Sequence, residues 1–104
     1  MAFHVLEQLS RLQDGYKKSF NIEGHKLLLI HENGHSYLIE DRCPHKDLPL
    51  STGTVTPDGK LRCSAHGIAF ELNSGKATGP MGDVLDCLTR FDLVYEGSTV
   101  GVEL

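Results

Sequence analysis

Apolar and polar positions along the chain alternate in short bursts, with almost no helical period. Leu27-Leu28-Leu29-Ile30 is apolar without alternation, the pattern of a strand buried on both faces. It lies within one of three strand-like runs, residues 16–21, 25–31 and 36–40. These are separated by Glu23-Gly24 and Asn33-Gly34, both hairpin signals. Residues 3–6 alternate loosely and predict an opening strand. Leu9 and Leu12 stand at a helical separation before Gly15, enough for a short turn of helix at most. Pro57-Asp58-Gly59 predicts a turn and Lys60-Leu61-Arg62 the strand after it, so the strand over residues 36–40 leads to Cys43 and this one to Cys63, and the two are expected to be neighbours that face these residues toward one another. Ala69, Phe70 and Leu72 predict another strand, ended by Asn73-Ser74-Gly75. Gly79-Pro80 is a stiff turn, and residues 85–94 and 98–103 predict a closing hairpin about Glu96-Gly97 that returns to the N-terminal sheet. Many short strands with glycine-rich turns indicate an all-β antiparallel sandwich or small barrel.

Size and charge narrow the function. A chain of 104 residues is one domain by length, residues 1–104, without room for a second catalytic module, and shows no repeat, linker or low-complexity segment. The net charge of -4 disfavours nucleic acid as a partner and suits transient docking onto more basic proteins. The N-terminal residues lack a basic region followed by an apolar run, and nowhere do about 18 consecutive apolar residues occur. The expectation is a cytoplasmic protein with no membrane attachment.

The chemistry is concentrated in Cys43-Pro44-His45 and Cys63-Ser64-Ala65-His66-Gly67. Read as a pattern this is C-x-H, seventeen residues, then C-x-x-H, each clip offering one sulfur and one nitrogen ligand. Structural zinc sites usually pair like with like, because one small ion needs four ligands converging from two clips. Mixed clips suit two irons bridged by sulfide, since each iron then needs only two protein ligands, and each loop can send Cys to one and His to the other. A mononuclear zinc or iron site, or the same fold with no cluster, remains the alternative reading of these four residues.

With these clips in order, followed by Leu50 and Gly53 after the first and Gly67, Phe70, Gly75 and Gly79-Pro80 after the second, the sequence resembles a Rieske ferredoxin. The resemblance is close over residues 40–88. It implies a Rieske-type 2Fe-2S cluster in which Cys43 and Cys63 hold the inner iron and His45 and His66 the outer one. It also implies a base of antiparallel strands carrying a smaller cluster-binding part, about residues 42–81. Neutral imidazoles leave the outer iron with less negative charge, so the added electron should settle there and the free ring nitrogens of His45 and His66 should reach the surface. Gly67 would let backbone N–H groups approach the cluster sulfides. The activity implied is one-electron carriage from a flavin-dependent ferredoxin reductase to a terminal oxygenase, a ring-hydroxylating dioxygenase or related monooxygenase, with no bond making by this chain. A Rieske-like small subunit of another reductase, such as nitrite reductase, is the alternative.

Departures from the family pattern bear on potential. High-potential members carry a disulfide between the two clips, where this chain has Leu48 and Ala65, and a Ser and a Tyr whose hydroxyls reach the sulfurs, where it has Ile68 and Phe70. Three missing stabilisers of the reduced state place the expected potential near the low end of about -150 to +300 mV. Asp47 stands where glycine is common, as a residue that tolerates a left-handed backbone or as a partner contact, and Ser64 stands where proline is common. Cys87, the third cysteine, reads as a small buried hydrophobe. His4, His25, His31 and His35 form no ligand grouping in sequence, which argues against a catalytic mononuclear iron site. A monomer is the default for a carrier that exchanges partners.

Overall fold

The computed structural model describes residues 2–42, 50–56, 58–62, 69–78 and 88–104. Its centre is a meander of β2 (Tyr16–Ile22), β3 (His25–Glu32) and β4 (His35–Glu40), antiparallel throughout and extended at its far edge by β8 (Arg90–Phe91). The turns are those the sequence signals. Glu23 and Gly24 have φ of 54° and 81°, and Asn33 and Gly34 have 53° and 79°, so both central residues are left-handed as a type I′ turn requires. That turn twists with the strands and fixes Ile22 opposite His25 and Glu32 opposite His35.

The unbroken apolar run of β3 is explained by what lies on either side of it. Side chains alternate across a strand, so Leu27 and Leu29 face one way, and Leu28 and Ile30 the other. All four are fully buried. Leu27, Leu29 and Leu38 pack with Leu6, Val100 and Val102 in a first core. Leu28, Ile30 and Ile39 pack with Leu50, Leu61, Phe70, Leu72, Ala77 and Leu88 in a second. Each Leu, Ile, Val or Phe among them contributes roughly 1.5–3 kcal/mol by leaving water. The central sheet is therefore covered on both faces.

The first core is closed by a sheet in the order β1 (Phe3–Gln8), β10 (Thr99–Glu103), β9 (Val94–Glu96). A single 3-10 turn, Leu9–Arg11, follows β1. The second core is closed by a small sheet of β5 (Thr54–Val55), β6 (Lys60–Arg62) and β7 (Ala69–Glu71). Strand β5 lies in a stretch where sequence pattern predicted none. It is two residues long, too short for any periodicity to register.

Two expectations need correction. Residues 85–94 do not form one strand of a hairpin: residues 85–87 lie outside the described residues, β8 pairs with β4, and β9 pairs with β10 in a different sheet. Leu88 belongs to the second core while Phe91 and Leu93 pack against the first, so the chain crosses between cores within this apolar stretch. Nor do the strands that lead into the two clips neighbour each other. β4 belongs to the central sheet and β6 to the small one.

Candidate metal centre

Cys43, His45, Cys63 and His66 lie outside the described residues, as do Asp47, Leu48, Ser64, Ala65, Gly67, Ile68, Gly79, Pro80 and Cys87. The structure does give the frame on which their segments are mounted. Three stretches, 43–49, 63–68 and 79–87, begin and end on described residues, and those ends are joined to one another.

The first stretch leaves at the end of β4. That end is fixed from both sides, because the Glu40 N–H donates to the Thr89 carbonyl at 2.8 Å and the Asp41 N–H to the Lys26 carbonyl at 2.8 Å. The chain returns at Leu50, which opens a 3-10 turn, Leu50–Thr52, and is fully buried in the second core. Asp41 Oδ1 accepts the N–H groups of Leu50 and Ser51 at 2.8 and 2.9 Å, so one carboxylate joins departure and return. Its other oxygen accepts the Ser19 hydroxyl at 3.0 Å. Lys17, also on β2, donates from Nζ to the Gly53 carbonyl.

The second stretch leaves from β6 and returns to β7, and its flanks Arg62 and Ala69 are paired directly across those strands. The first stretch is tied to it by Gly53. A Cβ on this buried glycine would collide with the Arg62 carbonyl oxygen, and the next residue, Thr54, pairs with Arg62. The third stretch is tied to the second in turn. Thr78 donates to the Ala69 carbonyl from its N–H at 2.8 Å and from its hydroxyl at 3.1 Å. The stretch returns at Leu88, whose N–H donates to the Gly75 carbonyl at 2.7 Å. Gly75 has φ of 80° and lies so near that an added Cβ would be 2.8 Å from the Leu88 oxygen, a position only glycine fills.

Thr54, Arg62, Ala69 and Thr78 thus stand in a row, and from that row and the adjoining Asp41–Leu50 closure all three stretches depart. The described ends of the three stretches are brought together because Asp41, Gly53 and Thr78 bridge between elements. Sequence reasoning missed Asp41, Lys17 and Ser19. An aspartate after a strand reads as an ordinary turn former, and nothing in the sequence reveals that its acceptors meet N–H groups nine residues on.

The donor set fits a two-iron cluster. Two thiolates and two neutral imidazoles are the ligands of a Rieske centre, where His replaces Cys on one iron. Phe70, at the position where a hydroxyl-bearing ring would aid a higher potential, is fully buried in the second core and has no hydroxyl to donate. The remaining histidines are dispersed. His4 lies in β1, His25 packs edge-on against Phe91, His31 Nδ1 is 2.7 Å from the Ser36 hydroxyl, and His35 leans on Tyr37. Among the described residues no group of three or more His, Cys, Asp or Glu could hold a metal, and no helix is long and apolar enough to cross a membrane.

Comparison with known proteins points the same way. The sequence pattern of the Rieske [2Fe-2S] domain matches residues 2–88. The chain is 34% identical over 89 residues to the ferredoxin component of the alkene monooxygenase system of Xanthobacter autotrophicus, covering 86% of this chain and 70% of that one. It is 32% identical over 78 residues to the ferredoxin subunit of 3-phenylpropionate/cinnamic acid dioxygenase from Shigella boydii, covering 75% and 72%. Among solved structures it superposes with a TM-score of 0.84 and 25% identity on a chain of the complex of reduced oxygenase and oxidized ferredoxin in carbazole 1,9a-dioxygenase, covering 96% of this chain and 91% of that one. These relatives are ferredoxins of oxygenase systems and do not favour the nitrite reductase alternative. The cofactor is a Rieske-type 2Fe-2S cluster, and the role is electron transfer without catalysis of its own. By pattern, by identity and by fold, the chain belongs to the Rieske [2Fe-2S] domain family.

Proposed function

We propose that residues 1–104 act as a single Rieske unit in which Cys43 and Cys63 hold the inner iron and His45 and His66 the outer one. It takes one electron from a flavin-dependent reductase and passes it to a terminal oxygenase. The cluster supplies a one-electron couple; the chain's own residues hold and insulate it. The observation that carries this reading is the row Thr54, Arg62, Ala69 and Thr78. It supports the reading because the described chain on either side of residues 43–49 and 63–68 is joined there, with the second core behind it. A base buried on both faces keeps that edge from shifting as the electron arrives, which keeps reorganisation small.

The oxygenase partner is supported by the relatives, ferredoxins of an alkene monooxygenase and of a phenylpropionate dioxygenase, and the reductase is the electron source that such a carrier needs. The carrier works as a cytoplasmic monomer, at a potential near the low end of the Rieske range because Leu48, Ala65, Ile68 and Phe70 supply neither clamp nor hydroxyl donors.

Purified protein tests the ligand assignment. Two irons and two sulfides per chain are expected, with visible absorption that bleaches on reduction. Cys43→Ser, Cys63→Ser, His45→Ala and His66→Ala should each lose it. A colourless, zinc-containing protein, or a His45→Ala variant with an unchanged spectrum, refutes the assignment. Reconstitution with a reductase and an oxygenase, scored by product formed, tests the partners.

A further inference from the structure

We infer that Asp41 is a positioning residue, a non-covalent clasp whose carboxylate ties the chain leaving β4 to the 3-10 turn at Leu50, the two described ends of the first ligand stretch. The inference rests on the proposal that Cys43 and His45 are cluster ligands, since these lie in the stretch it closes. The backbone of Asp41 is fixed to β3 through the Lys26 carbonyl, and its side chain reaches across to the point of return. Oδ1 takes the Leu50 and Ser51 N–H groups, at 2.8 and 2.9 Å. Both N–H groups open a 3-10 turn, where the first donors lack partners within the turn itself. The Ser19 hydroxyl holds Oδ2 at 3.0 Å and so sets the carboxylate plane. Three donors from β2 and the turn thereby converge on one side chain.

The consequence reaches the second clip as well. Leu50 leads through the turn to Gly53, which lies against the Arg62 carbonyl one residue before Cys63, while Lys17 holds the Gly53 carbonyl from β2. Opening the Asp41 clasp therefore frees the return of the first stretch and loosens the seat of the second. The oxygen's capacity to accept, rather than the charge it carries, is what the geometry uses. An amide at the same place can accept through its oxygen and donate to Ser19.

The test compares holoprotein of the wild type, Asp41→Ala and Asp41→Asn. One readout is the rate at which an excess of iron chelator bleaches the visible absorption. The other is hydrogen exchange of the peptide amides over residues 50–55, which is independent of any redox activity. Asp41→Ala should speed both by at least about tenfold, and Asp41→Asn by no more than about threefold. Wild-type rates in Asp41→Ala overturn the inference, as does an Asp41→Asn variant as fast as Asp41→Ala, which would assign the effect to charge. If Asp41→Ala does not accumulate folded, Asp41→Glu replaces it. The carboxylate is then one methylene too long for both donors, and the same acceleration of about tenfold is expected, with wild-type rates again decisive against the clasp. A wild-type protein that binds no cluster would sink the ligand assignment alone, because the exchange readout still reports on the clasp.

Discussion

Gly53→Ala is the sharpest single perturbation of the frame. At this buried position the added methyl would meet the Arg62 carbonyl oxygen head-on, with the Leu50 oxygen at 3.2 Å and the Arg62 carbonyl carbon at 3.3 Å behind it. Unbonded heavy atoms rest at about 3.5–4.0 Å, so all three contacts are too close. The obstructing atoms are backbone and cannot rotate away. Relief requires β5 to separate from β6, giving up the Thr54–Arg62 pairing that joins the segment after residues 43–49 to the one before residues 63–68. Overpacking of this kind costs about 1–3 kcal/mol, and a backbone obstacle places this case at the upper end. For a chain of this size each kcal/mol lowers Tm by about 4–8 °C, so a cost of about 2–3 kcal/mol gives an expected fall of about 8–24 °C. The assay is a thermal melt by far-ultraviolet circular dichroism, wild type and variant at one scan rate. Gly34→Ala is the control, since φ is 79° there with no atom within 4 Å of an added Cβ. It should cost only the left-handed backbone penalty of about 1–2 kcal/mol. A Gly53→Ala protein that melts within about 2 °C of wild type, or above Gly34→Ala, refutes the close approach.

Leu28→Ala and Leu29→Ala open cavities on opposite faces of the central sheet, and both should cost about 2–5 kcal/mol by denaturant titration; one of them being tolerated would mean that its face is not packed. The Glu7 carboxyl is held below its usual pKa of 4.5, first by the Gln8 N–H and then by the Tyr16 hydroxyl, at 2.9 and 2.8 Å. A depressed folded-state pKa contributes stability that is complete above the unfolded value and is lost as pH falls through the folded one. The gap in urea midpoint between wild type and Glu7→Gln should therefore be present at neutral pH and close on acidification below 4.5, and a gap independent of pH would contradict the pairing. Redox titration of the holoprotein should give a midpoint below about +100 mV; a higher one would mean that donors other than hydroxyls at positions 68 and 70 stabilise the reduced state.

Much of the base was legible because its signals are local. Glu23-Gly24 and Asn33-Gly34 announce tight turns whatever the rest of the chain does, and the run from Leu27 to Ile30 can be satisfied only between two layers. The family was legible for a different reason, since the spacing and residue types of the two clips survive in sequence without geometry. Relations between distant elements were not legible. Residues 88–94 serve both cores, so their apolarity hides the point where the chain changes sheet. Neighbouring strands were expected to lead into the two clips, whereas the described ends of those segments are joined by Gly53 lying against Arg62, with Asp41 tying the ends of the first together at Leu50, contacts that no periodicity encodes.

The hydrophobic degeneracy of β3 carries a cost that its neighbours must bear. In most half-exposed strands a slip of one residue is self-penalising, because it turns apolar side chains to water. Here Leu27, Leu28, Leu29 and Ile30 would merely trade places between two greasy interiors of similar appetite. The strand alone is a poor ruler. Alignment must be imposed by the left-handed corners at its two ends, which makes Gly24 and Gly34 the gauge blocks of the molecule. Lengthening either corner by one residue should leave a chain that still collapses but offers Asp41 at the wrong height.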